Sequence, residues 1–156
     1  MTERSAMLDD HLGEIILRLG AASLGGALLG LDRELRGHEA GIRTHALVAL
    51  SSAMIMVSAM MLSEQLAIEG SRPDPLRVVQ GLAQAIGFIA AGLIFVRRGD
   101  VRNLTTAANI WMAAAIGIVA GAGQYKLLGV GTVIAFLLLS VFVVFKRFLP
   151  SERQDG

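Results

Sequence analysis

The stretch GGALLGLDRELRGHEAGIRTHALVAL, Gly25 to Leu50, decides the fold. A glycine-laced apolar run ends at Leu31, and Asp32, Arg33 and Glu34 follow at once. Arg36, His38, Glu39 and Arg43 come next, before the chain turns apolar again at Ala46. A charge held at the centre of a bilayer costs about 3 kcal/mol on insertion scales. Charges this dense between two oily runs therefore mark a water interface: the end of one membrane helix, a charged elbow, and the start of the next.

Outward from the elbow the same pattern repeats. Stretches without charge run over Leu19–Leu31 (extendable back over Arg18 to Ile15), Ala46–Ser63, Val78–Val96, Asn103–Tyr125 and Leu127–Phe145. Crossing ~30 Å of hydrocarbon takes about 20 helical residues at a rise of ~1.5 Å. The expected fold is therefore all-α, a polytopic membrane protein with five transmembrane helices. Barrel strands would alternate in polarity, and open sheets cannot span a bilayer. A hydrophobic content of 54% and a mean hydropathy of +0.61 agree with that class.

The length of 156 residues suits one domain. Residues 1–12 read as a polar N-terminal lead, 13–146 as the membrane domain and 147–156 as a cytoplasmic tail. Glu3, Asp9, Asp10 and Glu14 oppose Arg4, so the start does not read as a cleavable signal, which needs a basic beginning. A net charge of +1 gives no electrostatic case for nucleic acid. The absence of cysteine excludes disulfides and thiol chemistry.

Orientation follows from the basic residues. With five spans, Arg33, Arg36 and Arg43, then Arg97, Arg98 and Arg102, then Lys146, Arg147 and Arg153 share one side. Arg4, Arg72, Arg77 and Lys126 lie on the other. The positive-inside rule then predicts an outside N-terminus and cytoplasmic elbows and tail. The prolines of SRPDP, Ser71–Pro75, stop helix two in an outer loop. Gly25, Gly30, Leu31, Arg36, Gly37, Thr44, Ala46 and Ala53 also match Gly87, Gly92, Leu93, Arg98, Gly99, Thr106, Ala108 and Ala115 at a constant offset without a gap. A parallel duplication of one helical hairpin would give that echo.

Small residues at intervals of four allow close helix approach. Such ladders are Ala22/Gly26/Gly30, Ala83/Gly87/Ala91 and Ala113/Gly117/Gly121. They predict a central bundle of helices one, three and four, packed through Gly26, Gly30, Gly87, Gly117 and Gly121, with helix five outside. Met54, Met56, Met60 and Met61 do not hold one face and read as lipid-facing or gap-filling. Glu14 and Arg18, spaced i,i+4, either pair at the interface with Arg18 snorkelling or line a cavity.

The chemistry-bearing residues are sparse. His11, His38 and His45 fit no Ser/His/Asp order, and no phosphate loop appears, so no enzyme is expected and no cofactor. Asp32 and Glu34 are weak metal candidates, because Arg33, Arg36 and Arg43 compete for the same carboxylates. At the elbow, Arg43 is expected to bond Asp32 or Glu34 and Thr44 to cap helix two. The functional candidates are Asp32, Arg33, Glu34, Arg43, Thr44, His45, Gln84, Thr105, Thr106 and Asn109. Gln80, Gln84, Thr105, Thr106 and Asn109 can also be read as the lining of a polar ion path, although no acidic residue lies deep in a span.

GALLGLDRE, AGIRTHALVAL, IGFIAAGLIF and VRNLTTAANIWMAAAIGIVAGAG resemble, in order and spacing, the MgtC/SapB family. The resemblance covers roughly Gly20 to Gly123. Asp32 stands where the family usually has Glu, Asn103 where Gly is usual, and Ala85 and Ala90 at positions often held by Gly. The C-terminal cytoplasmic domain of the virulence-associated members has no counterpart in this sequence. The resemblance implies a multi-pass bacterial inner-membrane protein, tied to growth in low magnesium and to intracellular survival. It implies action through other membrane proteins or membrane potential, with lipid, other membrane proteins or small membrane peptides, or further copies of the chain as partners. The alternative it leaves open is a small ion transporter or channel component.

Overall fold

The computed structural model describes residues 2–38, 40–68, 73–97 and 100–148, with side chains over 11–38, 40–67, 73–95 and 101–139. Glu39, Ser71, Arg98, Gly99 and the tail beyond residue 148 fall outside the described residues. The elements in order are α1 (Thr2–Leu35), α2 (Ile42–Ile68), α3 (Leu76–Leu93), β1 (Phe95–Arg97), β2 (Asp100–Arg102), α4 (Leu104–Gly121) and α5 (Tyr125–Phe148). His11–Leu35, Ile42–Ala67, Leu76–Leu93 and Leu104–Gly121 are long and apolar enough to cross a membrane. The described apolar stretch of α5, Tyr125–Leu139, is shorter. The chain is a polytopic helical membrane protein. Its lead is helical too, since α1 begins at Thr2.

Glycine ends two of these helices. Gly37 has φ +72°, its N–H donates to Glu34 O (3.0 Å), and the His38 N–H donates to Arg33 O (3.1 Å). That pair of bonds is a Schellman motif, which satisfies the last carbonyls of α1 and needs a residue free of Cβ strain. Gly123, φ +71°, closes α4 the same way through Gly123 N to Ala120 O and Gln124 N to Val119 O. After the first motif the chain doubles back, and α2 returns along α1.

The second elbow differs from the first. Phe95–Arg97 pairs antiparallel with Asp100–Arg102, Val96 opposite Val101. Asn103 then enters α4 at φ +64°, a left-handed position without a side-chain cap bond. Asparagine is among the few side chains that tolerate that region, which accounts physically for a site where Gly is usual. The proposed echo of the two hairpins therefore runs through unlike turns.

Packing corrects the expected bundle. α2 packs against both α1 and α4, α1 packs on α4, and α3 and α5 sit at the periphery. A Cβ on Gly26 would lie 2.5 Å from the His45 carbonyl oxygen, and one on Gly30 2.6 Å from Ile42 Cα. A Cβ on Gly117 would strike the Ala49 carbonyl and, at 2.7 Å, Ser52 Cβ, while Gly121 faces Ala53 and Met56. Four of the five packing glycines thus hold backbones together. Gly87 does not: a Cβ there meets nothing within 4 Å. α3 instead buries Leu82, Ile86 and Ala90, so its small-residue ladder faces away from the core. Helix two, not helix three, occupies the centre, through Ala49 and Ala53, both fully buried.

Leucine at Gly117 must separate α2 from α4 and is expected to cost at least the roughly 1–3 kcal/mol typical of overpacking. Gly87→Leu should stay within about 0.5 kcal/mol. Thermal unfolding in detergent decides; similar losses for both would move the centre of the bundle back toward α3.

Candidate functional site at the elbow end

The charged residues of the first elbow divide by helical direction. Asp32, near the end of α1, and Arg36, just past it, form a bidentate pair: Arg36 Nε donates to both carboxylate oxygens at 2.9 Å and Nη2 to Oδ1 at 2.6 Å. Glu34 reaches over the turn, and its Oε2 accepts from the Ile42 N–H at 2.8 Å. A carboxylate from α1 thereby caps α2, complementing its positive end. A Cβ on Gly41 would lie 2.6 Å from Glu34 Oε2, so glycine makes room for this cap.

This geometry corrects two expectations. α2 begins at Ile42, so Thr44 lies inside its first turn and is exposed, with Glu34 as the cap. Arg43 is exposed and bonds to neither Asp32 nor Glu34, because those carboxylates are already committed. The same commitments occupy the two weak metal candidates, and no cluster of three metal-ligating side chains occurs among the described residues.

Arg33 is the elbow residue that goes inward. It is 5% exposed and donates through Nη2 to Thr106 Oγ1 in the first turn of α4. Its Nε is buried without a partner, and among the described residues no carboxylate pairs with it. His45, fully buried on α2, has Nδ1 2.8 Å from Gly41 O. A carbonyl only accepts, so Nδ1 carries the proton and Nε2 is left buried without a partner. Ser52, 1% exposed and seven residues on, lies on the same side of α2, and its Oγ also lacks a partner. On α4, Thr106 and Asn109 are buried, with Asn109 Nδ2 unpartnered. Ser52 escaped the sequence reading, although its spacing of seven from His45 placed it on the same face.

The five proposed path residues are not brought together. Thr106 and Asn109 are buried, whereas Thr105, Gln80 and Gln84 are exposed. What the elbow end does contain is a cleft of about 460 Å³ lined by Gly37, His38, Ala40, Thr44, Leu93, Phe95, Arg102, Asn103 and Thr106. It lies between the turn after α1 and the β ribbon.

A second polar group sits at the other end of α4. Arg18 pairs with Glu14, as their spacing predicted, and its Nη1 donates to the Gly121 carbonyl at 2.8 Å. A cation at a helix C-terminus is favourably placed. Glu14 and Arg18 also line a small cavity of about 110 Å³ with His11 and Glu64, the second of the two sequence readings.

Exchanging Arg33 for methionine removes a desolvated cation while keeping most of its bulk. Stability in detergent should be unchanged or rise by about 1 kcal/mol or more, as when buried ions give way to apolar side chains. Glu34→Ala should lose about 1 kcal/mol with the α2 cap, and Arg43→Ala should lie within about 0.5 kcal/mol of the parent. Chemical or thermal unfolding of the three variants checks the order, and a severe loss for Arg43→Ala would contradict it.

A model of the MgtC family matches residues 19–148. The chain is 42% identical over 130 residues to the Escherichia coli K12 protein named "Putative magnesium transporter YhiD", covering 83% of this chain and 60% of that protein. It is 43% identical over 112 residues to Protein MgtC of Salmonella typhimurium LT2, covering 71% and 45% respectively. Protein SrpB of Synechococcus elongatus is 42% identical over 149 residues, 88% of this chain and 79% of its own. The chain thus spans less than two thirds of the YhiD and MgtC proteins it matches. No solved structure matches. On the family match and these identities, the chain belongs to the MgtC family.

Proposed function

We propose that this chain is a non-catalytic regulator in the bacterial inner membrane, serving adaptation to low magnesium and intracellular survival by binding other membrane proteins. The observation that carries the reading is the outer face of α3. Gln80 and Gln84 are exposed there, Gln84 near the middle of a helix long and apolar enough to span. An amide facing hydrocarbon leaves donors and acceptors unsatisfied, and a partner helix satisfies them. Gly81, Ala85 and Gly92, also exposed, would let that helix come close. The occupant that fits is a transmembrane helix of another protein, or a small membrane peptide. The cytoplasmic placement of the elbows, from the positive-inside rule, belongs to the same proposal.

Ion transport is the second reading, favoured by the name given to the E. coli relative and by the buried Thr106 and Asn109. Weighing against it, the described buried residues include no carboxylate, which a cation route usually needs.

Purified protein in proteoliposomes should carry no magnesium or proton flux above protein-free vesicles. A photo-cross-linking residue at Gln84 should capture a neighbouring membrane protein in cells, and Gln84→Leu should reduce its co-purification. Magnesium flux abolished by Asn109→Ala would replace the regulator with a transporter, and cross-links to the chain itself alone would make the α3 face a homo-oligomer seam.

A further inference from the structure

Arg33 is in an unfavourable place by two counts. Its guanidinium is almost wholly buried without a carboxylate among the described residues, and it lies against the first turn of α4. That helix end carries partial positive charge from its unpaired N–H groups. Asn103, at the N-cap, contributes no side-chain bond to soften it. The opposite end of the same helix, by contrast, has its cation Arg18 on the favourable side. Among the described residues no carboxylate is bonded to Arg33, and Asp32 beside it is held by Arg36, so the buried cation is not neutralised at close range.

The cleft supplies the place for a negative charge. Thr106 accepts from Arg33 Nη2 and also lines the cleft, so its own O–H remains to donate into it. Thr44 and Asn103 also line it, together with His38 and Arg102. Among the described residues no Asp or Glu lines the cleft, and its volume of about 460 Å³ falls within the range of small-ligand sites. Phe95 gives it an apolar flank, suited to a group that carries carbon as well as charge. We propose that this cleft binds a phosphoryl oxyanion, with Thr106 and the α4 N-terminus as direct donors and buried Arg33 as the charge behind them. Helix N-termini backed by arginine suit this chemistry, since a tetrahedral anion accepts several N–H and O–H bonds at once. Free phosphate and the headgroup of an anionic phospholipid share it. The site stands whether or not α3 has a protein partner.

Thermal unfolding of the full chain in neutral detergent tests the site in two arms. One titrates inorganic phosphate against chloride at constant ionic strength, and the other compares mixed micelles of phosphatidylglycerol and phosphatidylcholine. A ligand that binds only the folded state raises the midpoint saturably. A rise with phosphate assigns the free anion, and a rise with phosphatidylglycerol alone assigns the headgroup. Thr106→Val, which keeps the shape and removes the hydroxyl, should weaken the response about tenfold or more. Arg33→Met should abolish it, and Arg43→Ala should leave it intact. If Arg33→Met does not fold, Thr106→Val decides. The absence of a saturable rise in both arms overturns the site, as does a rise that Thr106→Val leaves undiminished.

Discussion

The fold depends on backbone meeting backbone at Ala49. On one side the Gly26 face of α1 lies against the His45 carbonyl and Ala49, and on the other Gly117 of α4 presses on the Ala49 carbonyl and Ser52. In a bilayer, hydrophobicity does little to draw one apolar helix to another, because lipid tails are equally apolar. Attraction must come from many short contacts, and these exist only where no side chain intervenes. α2 can be central because both its neighbours present glycine to it. α3 and α5 then take what surface α4 and α1 have left.

That close approach is also what makes the polar layer tight. His45 and Ser52 lie one turn either side of Ala49, buried where Gly26 and Gly117 bring α1 and α4 against α2. Arg33 and Thr106 close the same junction at the elbow end. Buried polar atoms left unpartnered cost free energy, and a desolvated guanidinium costs more. A chain selected for stability alone would place leucine or methionine there. The retained polar groups are therefore the part of the bundle that invites a functional account.

Much of this was legible from residues alone. Runs without charge gave the spans, and the elbow gave the turn between α1 and α2. Gly26, Gly30, Gly117 and Gly121 were readable as packing positions because four-residue spacing is a property of a single helix. What faces a ladder is not. The Gly87 ladder looks the same in sequence as the Gly117 ladder, yet meets empty space, since only the three-dimensional arrangement puts α2 against one and not the other. The partner ladder on α2, His45–Ala49–Ala53, was hidden by a histidine at its head. Arg33 and Arg43 were indistinguishable as elbow arginines. The Schellman motif at Gly37 separates them, because it continues α1 to Leu35 and so turns Arg33 inward on a helix face. The ribbon of Phe95–Arg102 was too short for alternation to declare it.

Polarity along α4 links packing to chemistry. The helix is held by Gly117 and Gly121 near its C-terminal half, where Arg18 meets the Gly121 carbonyl. There the dipole, the cation and the close packing all act in the same direction. At the N-terminal end they oppose one another: Arg33 and the helix dipole are of one sign, and packing gives way to an open cleft. Along α4, close packing is thus concentrated at the C-terminal end and the buried cation at the other. A site that binds and releases a partner or ligand gains from such separation, because occupying the cleft need not disturb the contacts of Gly117 and Gly121 with α2. The elbow first noticed as a charged interruption in an apolar sequence is, on this account, the end where the molecule can respond.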